Sequence, residues 1–199
     1  MIAILDYGAG NLRSVVNALA ALGIRHEVVR DAAGLDRASK IILPGVGHFG
    51  QMMRELDRIR VREVLVKRIH AGVPFLGICL GLQALFERSQ EAPQAAGLGL
   101  LSGEVQRFPP DVRVPHMGWN KLEVGPAEPR LLRNIGPAPW VYFAHSYYVP
   151  VVAGAAAQCS YGVPFTAVLE HENIMGVQFH PEKSSQTGLR IVQNFAELQ

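Results

Sequence analysis

Apolar positions along the first hundred residues switch repeatedly between two periods. Residues 2–6, Ile-Ala-Ile-Leu-Asp, form a short apolar run that reads as a buried strand ending in Asp6-Tyr7-Gly8. Residues 11–22 place Leu12, Val15, Val16, Leu19 and Leu22 on one helical stripe, which Gly23 stops. Strands are predicted at 26–29 and 40–45. Helical spacing follows over 49–71 in two pieces, then a strand at 73–78 and a helix at 80–89. After about residue 100 the segments are short, aromatic and punctuated by Gly or Pro. Residues 103–108, 114–124, 140–149, 156–162 and 165–179 read as strands, several antiparallel, and 187–198 as a closing helix. Strand–helix alternation followed by a run of strands predicts an α/β fold, with a mixed, mainly parallel central sheet flanked by helices. Pro109-Pro110 and residues 125–129 read as surface loops, so residues 1–199 are expected to form a single domain.

Chemistry enters at the end of the strand at 73–78. Cys79 stands in Gly77-Ile78-Cys79-Leu80-Gly81, where a strand is expected to turn sharply into a helix. That is the layout of a nucleophile elbow. Glycines serve where backbone crowds or φ turns positive. The thiol would stand at the strand's carboxyl end and at a helix N-terminus, which favours the thiolate. The Leu80 N–H would point at a developing oxyanion. A lone cysteine is more often a small buried hydrophobe, which is the reading given to Cys159. A second stretch shifts the balance for Cys79. In His180-Pro181-Glu182, proline holds the chain extended, so the imidazole and carboxylate two residues apart face one site. A thiol nucleophile needs a base, and the base needs a group that fixes its tautomer. Cys79, His180 and Glu182 supply all three.

Composition changes this picture little. Nineteen basic residues against seventeen acidic ones, without long runs of either sign, give no nucleic-acid arm and no polybasic membrane anchor. The longest apolar stretches fall far short of the roughly 20 residues that cross a bilayer. The N-terminal Met-Ile-Ala-Ile-Leu lacks a basic n-region and a cleavage site, so it reads as mature structure. Two cysteines make no disulfide framework and point to a reducing, cytoplasmic setting. The histidines lack metal-ligand spacing. Gly8-x-Gly10 hints at a dinucleotide loop, but Arg13 occupies the third glycine position, so a tight turn is the reading and no cofactor or metal is expected.

Gly-Ile-Cys-Leu-Gly-Leu-Gln at 77–83 with His-Pro-Glu at 180–182 resembles the class I (triad) glutamine amidotransferases. Three further stretches, Asp-Tyr-Gly-Ala-Gly-Asn at 6–11, Leu-Pro-Gly-Val-Gly-His-Phe at 43–49 and Pro-His-Met-Gly-Trp-Asn at 115–120, resemble those of the glutaminase subunits of imidazole glycerol phosphate synthase. The resemblance spans the chain and implies the flavodoxin-like amidotransferase fold, with Cys79 attacking the amide of L-glutamine, His180 moving protons and Glu182 orienting His180. It also implies an oxyanion hole at Val46, Gly47 and Leu80, and substrate contacts from Gln83, Ser146 and Tyr147. Gly45 and Gly47 would let the 44–47 loop switch its peptide orientation when a partner engages. That partner would be a (β/α)8-barrel cyclase on another chain, since a barrel alone needs about 250 residues. It would use the ammonia to convert a ribulosyl substrate (PRFAR) to imidazole glycerol phosphate and AICAR in histidine biosynthesis. Candidate contacts with it are Asn11, Met117, Trp119, Tyr142 and Lys183, with core packing as the competing reading of Trp119 and Tyr142. The alternatives are a class I glutaminase feeding pyridoxal phosphate or purine synthesis, a cysteine hydrolase on a related fold, and a non-enzymatic module with a redox-sensitive cysteine.

Overall fold

A computed structural model describes residues 1–125, 128–136 and 138–198. Pro126 and Ala127 of the expected 125–129 loop lie outside the described residues. The parallel half of the chain is built from β1 (Ile2–Leu5), β2 (His26–Val29), β3 (Lys40–Gly45) and β4 (Phe75–Cys79). They are joined through α1 (Leu12–Ala21), α2 (Ala32–Asp36), α3 (Phe49–Arg58) and α4 (Arg62–His70). The sequence pattern misses α2, a short helix capped by Asp31, whose carboxylate accepts the Gly34 N–H at 2.8 Å. The remaining elements are α5 (Leu80–Gln83), β5 (Phe86–Ser89), β6 (Leu101–Arg107), β7 (His116–Lys121), β8 (Glu123–Val124), β9 (Trp140–His145), β10 (Tyr147–Tyr148), β11 (Ala155–Tyr161), β12 (Val163–His171), β13 (Ile174–Val177) and α6 (Ser185–Ala196).

An eight-stranded sheet runs β2-β1-β3-β4-β13-β12-β11-β8. Neighbours from β2 to β13 are parallel, and β12, β11 and β8 continue antiparallel. Side chains alternate across it. Ile2, Ile4, Ile42, Leu76 and Ile78 point to one face, packing with Val15 and Leu19 of α1 and Ile191, Val192 and Phe195 of α6. Ala3, Leu5, Ile41, Leu43 and Phe75 point to the other, against Leu35, Phe49, Met52, Leu56, Leu65 and Ile69. Both faces are covered, which explains why these strands read as continuous apolar runs. Beside the main sheet lie an antiparallel β7–β9 ribbon and a β10-β6-β5 sheet.

The structure corrects the expected helix at 80–89. It lasts one turn and gives way to β5. Backbone donors from 97–101 capture its carbonyls: Leu98 N–H binds Ala84 O at 2.8 Å, Gly97 N–H binds Glu87 O at 2.9 Å, and Leu101 N–H binds Leu85 O at 3.0 Å. Long-range pairing overrides helical periodicity here. The segments 114–124 and 140–149 each divide between two sheets, breaking at Leu122 and at Ser146.

The fold brings backbones unusually close where β4 turns into α5. A Cβ on Gly81 would sit 1.9 Å from the Leu43 carbonyl oxygen, and one on Gly77 would sit 2.4 Å from the Gly81 carbonyl oxygen. Gly72 differs, with φ +86° and open space where a Cβ would go. Gly81→Ala is therefore expected to lose about 3 kcal/mol or more of stability through backbone collision. Gly72→Ala should lose about 1–2 kcal/mol, the cost of a left-handed L-residue. Urea denaturation of both variants measures the difference, and equal losses would contradict the collision.

Candidate active site

Three parallel strands end together at the site. Register pairs Gly45 of β3 with Cys79 of β4, and Val177 of β13 with Ile78. Val46 and Gly47 therefore emerge on one side of Cys79, and Gln178 and His180 on the other. Crevices at the carboxyl ends of such strands are the usual ligand sites of open α/β sheets. Cys79 itself adopts φ 55° and ψ −107°, a conformation that costs an L-residue of order 1–3 kcal/mol. The strain lies on the cysteine, while Gly77 and Gly81 are there for close approach. Gly45 belongs to the same crowding, because its Cβ would meet Leu80 Cβ at 2.8 Å and Gly81 N at 2.9 Å. Conformational freedom is thus the reason for Gly47, with φ +95° and open space, and packing is the reason for Gly45.

His180 Nδ1 lies 2.9 Å from Glu182 Oε1, and the ring also interacts with Cys79. Burial alone would lower the His180 pKa. The hydrogen bonds and negative charge of Cys79 and Glu182 outweigh burial and raise it well above the ordinary imidazole value. A protonated His180 ring follows from that balance. Since α5 is a single turn, the macrodipole expected from a longer helix is small.

Several supporting groups carry no motif of their own. Gln178 Nε2 donates to Cys79 Sγ at 3.6 Å, and Asn11 Nδ2 donates to Glu182 Oε1 at 3.2 Å. Asn11, expected at a partner surface, thus reaches the triad from the loop after β1. Ser14 Oγ donates to Asn11 Oδ1 at 2.8 Å. Ser184 Oγ donates to the His180 carbonyl at 2.7 Å and accepts the Tyr142 N–H at 2.9 Å, so it pins the triad segment to β9. Gly188 of α6 lets the helix press on Pro181, where a Cβ would lie 1.8 Å from the Pro181 carbonyl oxygen. The extended chain expected across Pro181 is not what joins the pair: Pro181–Lys183 form a 3-10 turn, closed by the Lys183 N–H on the His180 carbonyl at 3.0 Å, and this turn brings Glu182 back to His180. Gln178 carries no sequence signal of its own. Ser184 and the triad role of Asn11 had none.

A cavity of about 180 Å³ opens over the thiol, lined by Val46, Gly47, Cys79, Leu80, Gln83 and Glu91 on one wall and by Met117, Ala144, Ser146 and Tyr147 on the other. Since a cavity of roughly 150 Å³ takes a benzene-sized molecule, that space has the scale of an amino-acid side chain. The expected oxyanion and substrate residues therefore share one pocket. Gln83 Nε2 donates to the Tyr147 carbonyl at 2.8 Å and to Gln178 Oε1 at 3.0 Å. Both its N–H groups are committed, and its oxygen is the group left to offer a ligand. Tyr7 lies buried beside the Val46 backbone, and burial pushes its hydroxyl up to about 12.

The β7–β9 ribbon forms the pocket's outer wall and has two distinct faces. Inward, His116, Val141, Phe143 and His145 are buried. Outward, Met117 is 64% exposed, Trp119 49% and Trp140 56%. Trp119 packs edge-on to Tyr142 at 6.2 Å, and Lys183 Nζ lies 5.7 Å from the Tyr142 ring centre. Trp119, Tyr142 and Lys183 thus cluster at the surface near the pocket mouth, and Trp119 is not a core residue. Trp140 had not been singled out from the sequence. Cys159 is fully buried, and burial raises its thiol to about 12. Among the described residues, no group of three or more His, Cys, Asp or Glu is placed to hold a metal ion. Nor is any helix among them long and apolar enough to cross a membrane.

Comparison with known proteins agrees with this geometry. The glutamine amidotransferase class-I family matches residues 3–198. The imidazole glycerol phosphate synthase subunit HisH of Methanothermobacter thermautotrophicus is 47% identical over 199 residues, covering 100% of this chain and 98% of that protein. The subunit of the same name from Deinococcus radiodurans is 45% identical, covering 96% and 91%. Among solved structures, a glutamine amidotransferase superposes with TM-score 0.78 at 22% identity, over 98% of this chain and 97% of that one. The structure of PurLQS from Thermotoga maritima gives TM-score 0.77 at 20% identity, over 98% and 96%. At these identities the structures establish the fold, which is that of the class I amidotransferases.

The two inward histidines have a measurable consequence for stability. Burial lowers His116 to about 4 and His145 to about 3, below the ordinary 6.5 that each regains on unfolding. The unfolded chain therefore binds more protons as pH falls through 6.5, and stability drops by about 1.4 kcal/mol per pH unit for each histidine down to about pH 4. His180 has the opposite sign. Its contribution is fully present below 6.5 and is lost only as pH rises through its raised folded value. Urea midpoints between pH 7 and 4.5 are expected to fall accordingly, with roughly half the slope removed in His116→Phe; an unchanged slope would contradict burial as the cause.

Proposed function

The chain belongs to the class I glutamine amidotransferases, among the imidazole glycerol phosphate synthase subunits HisH, and from that premise we infer a glutaminase that hydrolyses L-glutamine through a Cys79 thioester for histidine biosynthesis. The carrying observation is the Glu182–His180–Cys79 line at a strained elbow beneath a pocket of amino-acid size. The Cys79 thiolate attacks the amide carbon of glutamine, and the oxygen becomes an oxyanion held by backbone N–H groups at Leu80 and in the Val46–Gly47 loop. His180 gives its proton to the amide nitrogen as the C–N bond breaks and ammonia leaves. It then takes a proton from water, which attacks the γ-glutamyl thioester and releases glutamate and the thiolate. Glu182 holds the ring orientation throughout, and Asn11 holds Glu182. Gln83, Ser146 and Tyr147 bind the substrate, and the Glu91 carboxylate in the pocket wall suits its α-ammonium group.

Ammonia passes to a separate (β/α)8-barrel cyclase subunit, which converts PRFAR to imidazole glycerol phosphate and AICAR. Residues 1–199 act as one amidotransferase unit in the cytoplasm. The outward Met117, Trp119 and Trp140, a row along the ribbon that begins with Met117 in the pocket wall, favour a protein partner that covers them, since exposed apolar clusters mark contact surfaces. Tyr142 and Lys183 extend the surface, and a cyclase carboxylate pairs with Lys183.

Glutamate release from glutamine is the test, run on the chain alone, with purified cyclase, and with cyclase plus PRFAR. A low rate alone, stimulation only by the loaded cyclase, and loss of at least about a thousandfold in Cys79→Ala are expected. Steady activity without the cyclase would move the chain to another pathway. Asn11→Ala removes a hydrogen bond to a charged group, about 1.5 kcal/mol, and should lower the stimulated kcat about tenfold. Gly47→Ala should blunt stimulation, and unchanged basal and stimulated rates would remove the switching role of the loop. Lys183→Ala should weaken cyclase affinity, whereas equal affinity would remove that contact.

A further inference from the structure

The mechanism leaves unused a second pair of titratable side chains beside the pocket. His145 Nδ1 lies 2.8 Å from the Tyr147 carbonyl oxygen, and His145 Nε2 lies 3.1 Å from His116 Nδ1. Asn120 Nδ2 stands 3.5 Å from His116 Nε2. A carbonyl only accepts, so His145 carries its proton on Nδ1. Its bare Nε2 then accepts, and His116 carries its own proton on Nδ1. Every donor in the line points the same way, from Asn120 toward Tyr147. Both rings are almost wholly buried, and His116 is sandwiched between Phe143, with centres 4.7 Å apart, and Tyr161, at 4.0 Å.

The Tyr147 carbonyl receives this line and also receives Gln83 Nε2. Gln83 continues to Gln178, and Gln178 to Cys79 Sγ. An unbroken path of hydrogen bonds therefore runs from the ribbon that carries Met117 and Trp119 on its other face to the nucleophile. Both N–H groups of Gln83 are committed and Gln178 donates onward to the sulfur, so a change at one link alters what the next can offer.

We propose that His116 and His145 are positioning residues of the glutamine pocket, a neutral pair in one fixed tautomer that holds the Tyr147 carbonyl and, through it, the orientation of Gln83. His116 lies outside the pocket lining and His145 forms part of it, but neither takes part in the bond changes at Cys79. Their role is to keep Gln83 presenting its oxygen to the pocket. If the Tyr147 carbonyl turns away, the Gln83 N–H that it held is released and the amide is free to flip. Substrate binding then suffers more than the chemical step. Around the pair the titratable neighbours are Tyr161, stacked on His116, and His180, whose positive charge opposes protonation of His145.

The kinetic half of the test rests on the glutaminase reading and uses the complex with the cyclase. His116→Phe keeps the stacked ring and loses the donor to His145. It should raise KM for glutamine about tenfold and leave kcat within about threefold. His116→Asn restores an N–H near the Nδ1 position and should bring KM back to within about threefold of the original. An unchanged KM in His116→Phe, or a His116→Asn variant no better than His116→Phe, would overturn the proposal. The other half needs neither activity nor variants. Nitrogen NMR of the unaltered chain should show both rings uncharged, with the proton on Nδ1, from pH 5.5 to 8. A proton on Nε2 of either ring, or titration of either within that range, would overturn it. Failure of the unaltered complex to hydrolyse glutamine would instead refute the functional reading and leave the NMR result to decide the tautomers.

Discussion

The site depends on the distance between two backbones. Gly81, in the single turn after Cys79, lies so close to the Leu43 carbonyl that no side chain fits between them. This contact seats α5 on β3 and β4. It forces the chain to reverse within Cys79 and transfers the strain to the one residue whose side chain must stand clear of the sheet. The crowding at Gly45 and Gly77 serves the same seating. Parallel register does the rest, because β3 and β13 flank β4 and their continuations fall on either side of the sulfur.

Much of this was legible in the sequence where the determinants are local. A glycine-flanked cysteine after an apolar run specifies its geometry within a few residues, and His-Pro-Glu marked the right pair for the wrong reason, because a 3-10 turn and not an extended chain joins them. The supporting groups were not legible, because their meaning comes from distant partners. Asn11 and Glu182 are 171 residues apart, and Gln178 and Cys79 are 99 apart. The parallel strands and the helices on both faces followed from periodicity. The strand at β5 did not, because its apolar spacing suits a helix and only the capture of its carbonyls by residues 97–101 decides the matter. The breaks at Leu122 and Ser146 were hidden for the same reason, since a strand that changes sheet keeps its alternation.

The electrostatics divide the histidines by company as well as by burial. His180, His116 and His145 are all nearly inaccessible. His180 sits between two groups able to carry negative charge and keeps its proton. His116 and His145 sit among aromatic rings and each other, and lose theirs. Two opposite protonation states are thus maintained side by side by the company each ring keeps.

The two-faced ribbon also bears on supply. Its inner Val141 and Phe143 are committed to the core, so its outer Met117, Trp119 and Trp140 cannot turn inward to hide. A cell that makes this chain in excess of whatever covers that face accumulates a protein with sticky aromatic surface. The balance between the chain and its cover is then a matter of colloidal stability, which sets a reason for matched synthesis that is independent of catalytic need.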